Sequence, residues 1–363
     1  MESKSQPWWA CHCGSWSWAR SKTCASCGAK PSKADAAWLE KHHKEQRSFV
    51  NSQHSSKLYE KRVSLLAESD QQLANKLTTS LNVQFHSVTW GLIGWTAEAR
   101  KSFNEHGFVV INNVLDSNQC SAVLTDCECA AKDIVGPGRA GNRGYGRYSF
   151  GVASSSGAML HCESFAQHLL NGGCSKLQPL LVQIFEGGKE YGFLCTGAGG
   201  DFVVGGTDTD QFLHADIQVQ KKQDLWLAPP MVSINFAVQD ISCLNGPMRI
   251  IPGTQLHRGD VPDQIPQQWQ RSCLSPVPAG AAIVRDVRVL HSGTRNVTET
   301  VRYLPSVELV SADFRSTDRR DCFPLKRCLP IEQFQRMHPQ IQKICAEIVL
   351  YKNEKIWPSY SMS

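Results

Sequence analysis

From about residue 90 onward the sequence is cut into short apolar runs by Gly, Pro, Asn and Asp, and this pattern limits the possible folds more than any other feature. Such runs are too short for long helices but suit strands joined by tight turns. The pattern predicts strands at 108–114, 192–196, 202–204, 212–219, 231–238, 247–251, 281–285, 287–291 and 301–310. Many short strands with turn signals between them point to a sandwich or barrel. Helical periodicity is confined to Ala97–Gly107, Ser117–Ile134, Glu163–Glu186 and residues 331–350. The expected architecture is therefore mainly β with flanking helices.

The 363 residues, 41% of them hydrophobic, suffice for one large core with smaller appendages. The pattern divides the chain into residues 1–31, rich in Trp, Cys and Gly; a polar helical linker, 32–90; the β-rich domain, 91–330; and a closing helix and tail, 331–363. No apolar run approaches 18 residues, so no membrane span is expected. Nor does the N-terminus read as a secretory signal. Fifteen cysteines, an odd number and mostly scattered singly, suit a reducing compartment, cytoplasm or nucleus, better than a disulfide framework. Residues 1–65 hold eleven Lys/Arg against five Asp/Glu, a net +6 that leaves −1 for the remainder. The basic segment suits an anionic partner or a solvated linker face.

The segment Gln211–Ile217 reads as a strand. Side chains alternate along a strand, so His214 and Asp216 share a face. An imidazole beside a carboxylate supplies two ligands of a metal site. His-x-Asp is common by chance, and here the downstream context raises its weight. Ala281–Leu290 is an apolar run punctuated by Arg285, Asp286 and Arg288, ending at His291. A turn over 292–296 follows, then a strand with Arg302 at its start. Two histidines and one carboxylate leave open positions on a non-haem Fe(II), where O₂ and a chelating cosubstrate bind. If the two strands pair antiparallel, Arg302 lies beside His291, where its guanidinium could hold a carboxylate with two parallel hydrogen bonds. The Asn245–Thr254 segment between them is a short apolar strand with Asn-Gly and Pro-Gly turns at its ends.

These motifs, in this order, resemble the phytanoyl-CoA dioxygenase family: His214-Ala-Asp216, then Asn245-Gly-Pro-Met-Arg-Ile-Ile-Pro-Gly-Thr254, then His291-Ser-Gly-Thr-Arg-Asn296, with Arg302 eleven residues past His291. The entry Phe103–Leu115 is also similar, and the resemblance covers roughly 95–312. It implies a double-stranded β-helix of jelly-roll or cupin-like form, with Fe(II) held by His214, Asp216 and His291 and 2-oxoglutarate held by Arg302. The implied reaction is hydroxylation with release of succinate and CO₂. Asn235 stands where many members carry a Trp lining the cosubstrate pocket, and Gly293 where several carry a Ser. His257, after the Pro-Gly-Thr turn, is the competing histidine. Arg143 and Arg147, in a Gly- and Arg-rich stretch over Gly136–Gly151, are expected to grip an anionic substrate from a lid or loop.

Near the N-terminus, Cys11-His12-Cys13 and Cys24-Ala-Ser-Cys27 have the spacing of a small four-cysteine zinc ribbon, with His12 as a substitute ligand; the alternative is a tail with free thiols. Trp9, Ser17-Trp18-Ala19-Arg20 and Cys24-x-x-Cys27 resemble the Ran-binding-protein type of zinc finger, which implies a single-stranded RNA or protein partner. The first pair is C-x-C rather than C-x-x-C. The expected function is oxygenation of a small or lipid-like molecule. The alternatives are an oxygenase brought to nucleic acid or protein by the finger, and a binding protein that has lost activity.

Overall fold

The computed structural model describes residues 8–10, 16–18, 87–135, 140–151, 156–185, 192–217, 229–257, 273–312 and 327–351. The chain divides into two compact units, Met1–Lys61 and Arg62–Ser363. In the first, β1 (Trp8–Ala10) pairs antiparallel with β2 (Trp16–Trp18). Cys11, Cys13, Cys24 and Cys27, and most of the linker, lie outside the described residues.

The second unit is mainly β, built on a seven-stranded mixed sheet. In chain order its strands are β3 (Ser87–Thr89), β4 (Phe108–Asn112), β7 (Arg147–Ser149), β8 (Phe193–Val203), β9 (Met231–Phe236), β12 (Ala282–Asp286) and β14 (Arg302–Ser311). The short strands β5 (Ala140–Gly141) and β6 (Gly144–Tyr145) precede β7. A second sheet joins β10 (Met248–Ile250), β11 (Cys273–Ser275) and β13 (His291–Gly293). In the large sheet the order is β3-β4-β12-β9-β14-β8-β7, antiparallel except between β3 and β4.

Strand alternation assigns each face of the large sheet. Val109, Ile111, Ala282, Val284, Ile234, Phe236, Val307 and Leu309 share a core with helices α1 (Trp95–His106), α2 (Ser117–Ile134) and α3 (Cys174–Ile184). Phe108, Val110, Ile283 and Leu304 point the other way and pack with Met248 and Ile250 of the small sheet. The site face thus receives the alternate residues of the same strands: Arg285, Ser233, Asn235, Arg302 and Glu308. Helix α2 starts where the sequence predicts, because Asp116 and Gln119 form a reciprocal cap, with Gln119 N donating to Asp116 Oδ1 at 2.9 Å and Asp116 N to Gln119 Oε1 at 3.0 Å.

Several expected elements differ. The two strands predicted around 192–204 are one, β8, because its glycines sit opposite Leu304–Glu308 rather than in a turn. At Gly200 (φ 94°) a Cβ would stand 2.3 Å from Leu304 O, so only glycine permits this approach. Residues 287–290 form a turn, not a strand. Asp286 accepts from Arg288 N at 2.9 Å and from its guanidinium at 2.6 Å, and the buried ion pair closes the bend. The helix predicted over 163–186 opens with a π-helical stretch, Phe165–Gly173, before α3. The closing helix is broken into α4 (Ile331–Gln335) and α5 (Pro339–Cys345), then a 3₁₀ turn and β16 (Val349–Leu350), which pairs with β15 (Leu329–Pro330). Pro339 opens α5 and disfavours helical backbone at His338. The described part of the Gly/Arg-rich stretch is no loose lid, since β7 is hydrogen-bonded to β8 as the sheet's edge.

Candidate metal centre

His214, Asp216 and His291 converge. Their ligand atoms lie within 4.8 Å of one another, a spread that one divalent ion spans with bonds of ~2.1–2.4 Å. Among the described residues this is the one such cluster, and His257 stands outside it. The segment expected as a strand over 212–219 contributes an isolated bridge instead of a full strand. His214 and His291 exchange backbone hydrogen bonds at 2.9 and 2.8 Å, Gln211 N donates to Gly293 O at 2.8 Å, and Asp216 N donates to Val287 O at 2.9 Å. These few bonds suffice to keep His214 and Asp216 on one side.

The motif around Asn245–Thr254 holds the second histidine from behind. Thr254 Oγ1 donates to Ile251 O at 2.7 Å and accepts from Leu290 N at 2.9 Å, and Ile251 N donates to Leu290 O. The residue next to His291 is thereby tied to the small sheet. Beyond it, the Asn296 side-chain amide donates to Val203 O at 3.1 Å and Thr300 O at 2.8 Å, fixing the turn that leads to β14.

Each histidine is oriented by a carbonyl. His214 Nδ1 lies 2.8 Å from Phe212 O, and His291 Nδ1 lies 3.0 Å from Val289 O. Arg285 Nη1 also lies 3.2 Å from His291 Nδ1, so both ring orientations are held from the Nδ1 side, with each Nε2 on the side of Asp216. Asp216 Oδ1 is 3.9 Å from His214 Nε2, and Oδ2 is 3.8 Å from His291 Nε2. Burial pushes the Asp216 carboxyl up, but Arg285, 2.9 Å from Oδ2, and the two histidines together hold it well below the usual carboxylate range. His291 is depressed by burial and then by Arg285, so it stays neutral and able to ligate.

The centre lines a cavity between the two sheets of about 610 Å³, open mouth included. Arg302 reaches it, though not by the expected route. β13 pairs with β10, whereas β14 pairs with β8 and β9, so His291 and Arg302 sit in different sheets and meet only across the cavity. The turn between them is a crossover, with Asn296 N bound to Thr207 O rather than closing a hairpin. Arg302 is 3% exposed, and its Nε and Nη1 have no partner among the described residues. Burial, then the charge of Arg147, lowers it to about 10. An orphaned buried guanidinium facing a cavity fits an anionic ligand.

Asn235, Arg143 and Arg147 also line the cavity, Arg143 Nε being 3.8 Å from Asp201 Oδ1. Among the lining residues that did not enter the sequence expectation as site residues are Arg285, Asp201, Ser233 and Glu308. Glu308 accepts from Ser233 Oγ at 2.9 Å and Ser306 Oγ at 3.1 Å, and burial followed by repulsion from Asp216 raises it to about 7. The available signal was a charge inside an apolar strand, as at Arg285 and Glu308.

The phytanoyl-CoA dioxygenase (PhyH) family profile matches residues 203–303, a stretch that contains His214, Asp216, the Asn245–Thr254 segment, His291 and Arg302. No curated protein matches the chain significantly. Similar solved structures include the epimerase SnoN in complex with Fe³⁺, alpha ketoglutarate and nogalamycin RO (16% identity, 60% of this chain and 84% of that one, TM-score 0.46). They also include the non-heme alpha ketoglutarate dependent carbocyclase SnoK from nogalamycin biosynthesis (18% identity, 59% and 84%, TM-score 0.41). A third is AviO1 from Streptomyces viridochromogenes (18% identity, 60% and 95%, TM-score 0.39).

Proposed function

We propose that this chain is an Fe(II)- and 2-oxoglutarate-dependent oxidoreductase of the phytanoyl-CoA dioxygenase type, acting on a small or lipid-like molecule. The observation that carries the reading is the His214–Asp216–His291 cluster facing, across one cavity, the buried guanidinium of Arg302, whose Nε and Nη1 have no partner among the described residues. The family match over the same residues supports it. The two sheets, packed with the site between them, support a double-stranded β-helix.

The donor set fits the group. Two imidazoles and one carboxylate suit Fe(II) and leave coordination positions free for a chelating cosubstrate and O₂. When bound, that group supplies oxidative decarboxylation of 2-oxoglutarate to succinate and CO₂, coupled to oxidation of a substrate C–H. The protein's own part is placement. The Phe212 and Val289 carbonyls orient the histidine rings, and Arg285 occupies Oδ2 of Asp216, leaving Oδ1 turned toward His214. Arg302 anchors the far carboxylate of the cosubstrate, and Asn235 lines the same pocket. Arg143, half-buried at 3.8 Å from Asp201, faces the substrate side as a cation for an anionic group.

The N-terminal cysteines Cys11, Cys13, Cys24 and Cys27 form, in this proposal, a Zn(II) module that recruits an RNA or protein partner in the cytoplasm or nucleus, on the strength of their spacing alone. No helix among the described residues is long and apolar enough to cross a membrane.

The test is anaerobic addition of Fe(II) and 2-oxoglutarate. A weak visible charge-transfer band is expected, with O₂-dependent succinate formation, and His214→Ala should abolish both. Absence of band and of succinate in the wild-type protein sinks the enzyme reading and favours a binding protein.

A further inference from the structure

Arg147 and Arg302 occupy matched places. Val203 on β8 is the register partner of Arg302 on β14 and also of Arg147 on β7, so the two arginines flank one residue on the same face of the sheet. Both are buried, at 5% and 3% exposure, and both line the cavity. Two guanidinium groups in one buried cluster repel and are poorly solvated, which an anion between them would relieve.

Arg147 is also held in place. Its Nη2 donates to Thr209 O at 2.8 Å and to Thr294 O, while its Nε is buried with no partner among the described residues. The guanidinium is anchored through Nη2, and its Nε donor is left unused among the described residues. Its position depends on Gly293, where a Cβ would stand 2.8 Å from Arg147 Nη1 and 2.7 Å from Gln211 Oε1. The side chain missing at Gly293 is therefore the space in which the guanidinium lies.

We propose that Arg147 is a second arm of the carboxylate clamp, holding the distal carboxylate of 2-oxoglutarate together with Arg302, in room left by the absence of a side chain at Gly293. This rests on the cosubstrate reading above, and it moves Arg147 from the substrate side, where the sequence placed it, to the cosubstrate side. Arg143, which already faces Asp201, keeps the substrate role.

The test is calorimetric binding to the full chain loaded with Mn(II) under argon, so that binding is read without turnover. Two ligands are compared: 2-oxoglutarate, and 2-oxobutyrate, which has the same oxo-acid head but no distal carboxylate. Arg147→Gln should weaken 2-oxoglutarate roughly ten- to hundredfold, as expected for a lost charge-assisted hydrogen bond, and leave 2-oxobutyrate within about twofold. Arg147→Lys should recover part of the loss. Gly293→Ser should reproduce the selective loss by displacing Arg147; its close contacts are the far ends of two flexible side chains, so folding should survive. Equal losses for both acids, or no loss for 2-oxoglutarate, overturn the proposal. Weaker substrate turnover with unchanged 2-oxoglutarate binding also overturns it, returning Arg147 to the substrate. A wild-type protein that binds neither acid refutes the cosubstrate reading itself, a result distinct from the others.

Discussion

Arg302→Met should stabilise the empty protein while removing the proposed cosubstrate anchor. In the folded chain the guanidinium is 3% exposed with Nε and Nη1 unpartnered among the described residues, and it is lowered from its ordinary value to about 10 by burial and by Arg147, against a smaller opposing effect of Asp201. That depression corresponds to ~3 kcal/mol at ~1.4 kcal/mol per tenfold. The sign follows from linkage. This cation binds its proton less tightly folded than unfolded but keeps it across the working pH range, so the penalty is fully present at pH 7. Methionine removes the charge and keeps much of the apolar stem. Because Asp201 loses a favourable charge and some packing changes, the net gain should be about 1–3 kcal/mol, a rise in Tm of several degrees for a domain of this size. Calorimetry in the presence of chelator reads this directly. Repeating it with Mn(II) and 2-oxoglutarate reads the loss of function: wild type should gain ~2.7 kcal/mol at a hundredfold excess over Kd, and the variant should gain no more than Mn(II) alone provides. A methionine variant less stable than wild type would refute the reasoning, because it would mean that Arg302 is satisfied in the resting protein.

The remaining predictions concern the shell around the centre. Glu308 has a folded carboxyl raised to about 7 from 4.5, so the folded state holds the proton more tightly and stability should fall as pH rises from about 4.5 through 7. Glu308→Gln should flatten that slope, by an amount on the order of 3 kcal/mol, in Tm-versus-pH curves of the chelated protein. Thr254→Val keeps the shape but strands Leu290 N and Ile251 O, which should cost about 1–3 kcal/mol in urea unfolding and loosen metal binding through His291.

The candidate metal ligands were legible because the signals that mark them are local. His214 and Asp216 are two residues apart, and extended backbone puts them on one side even without a full strand. His291 was legible from its setting, an apolar run ended by a turn, and the Asn245–Thr254 turns were readable because Gly and Pro dictate backbone shape wherever they occur. Helix α2 was readable to its first residue because a cap is a contact across three positions.

The rest needed the tertiary structure, since sheet pairing joins residues far apart in sequence. Arg302 seemed set beside His291 by a hairpin, yet β13 and β14 belong to different sheets, and the buried Asp286–Arg288 pair and Asn296 steer the chain across. The glycines of β8 looked like a break until Leu304–Glu308 lay against them. Arg285 reads as an interruption in an apolar run and Glu308 drew no reading, and only the facing of the two sheets turned both toward the candidate ligands. The sequence by itself determined which side chains could ligate a metal and which segments would be extended. Only the folded sheets decided which charges share the cavity with them, because that depends on strand order and register, which no local pattern encodes.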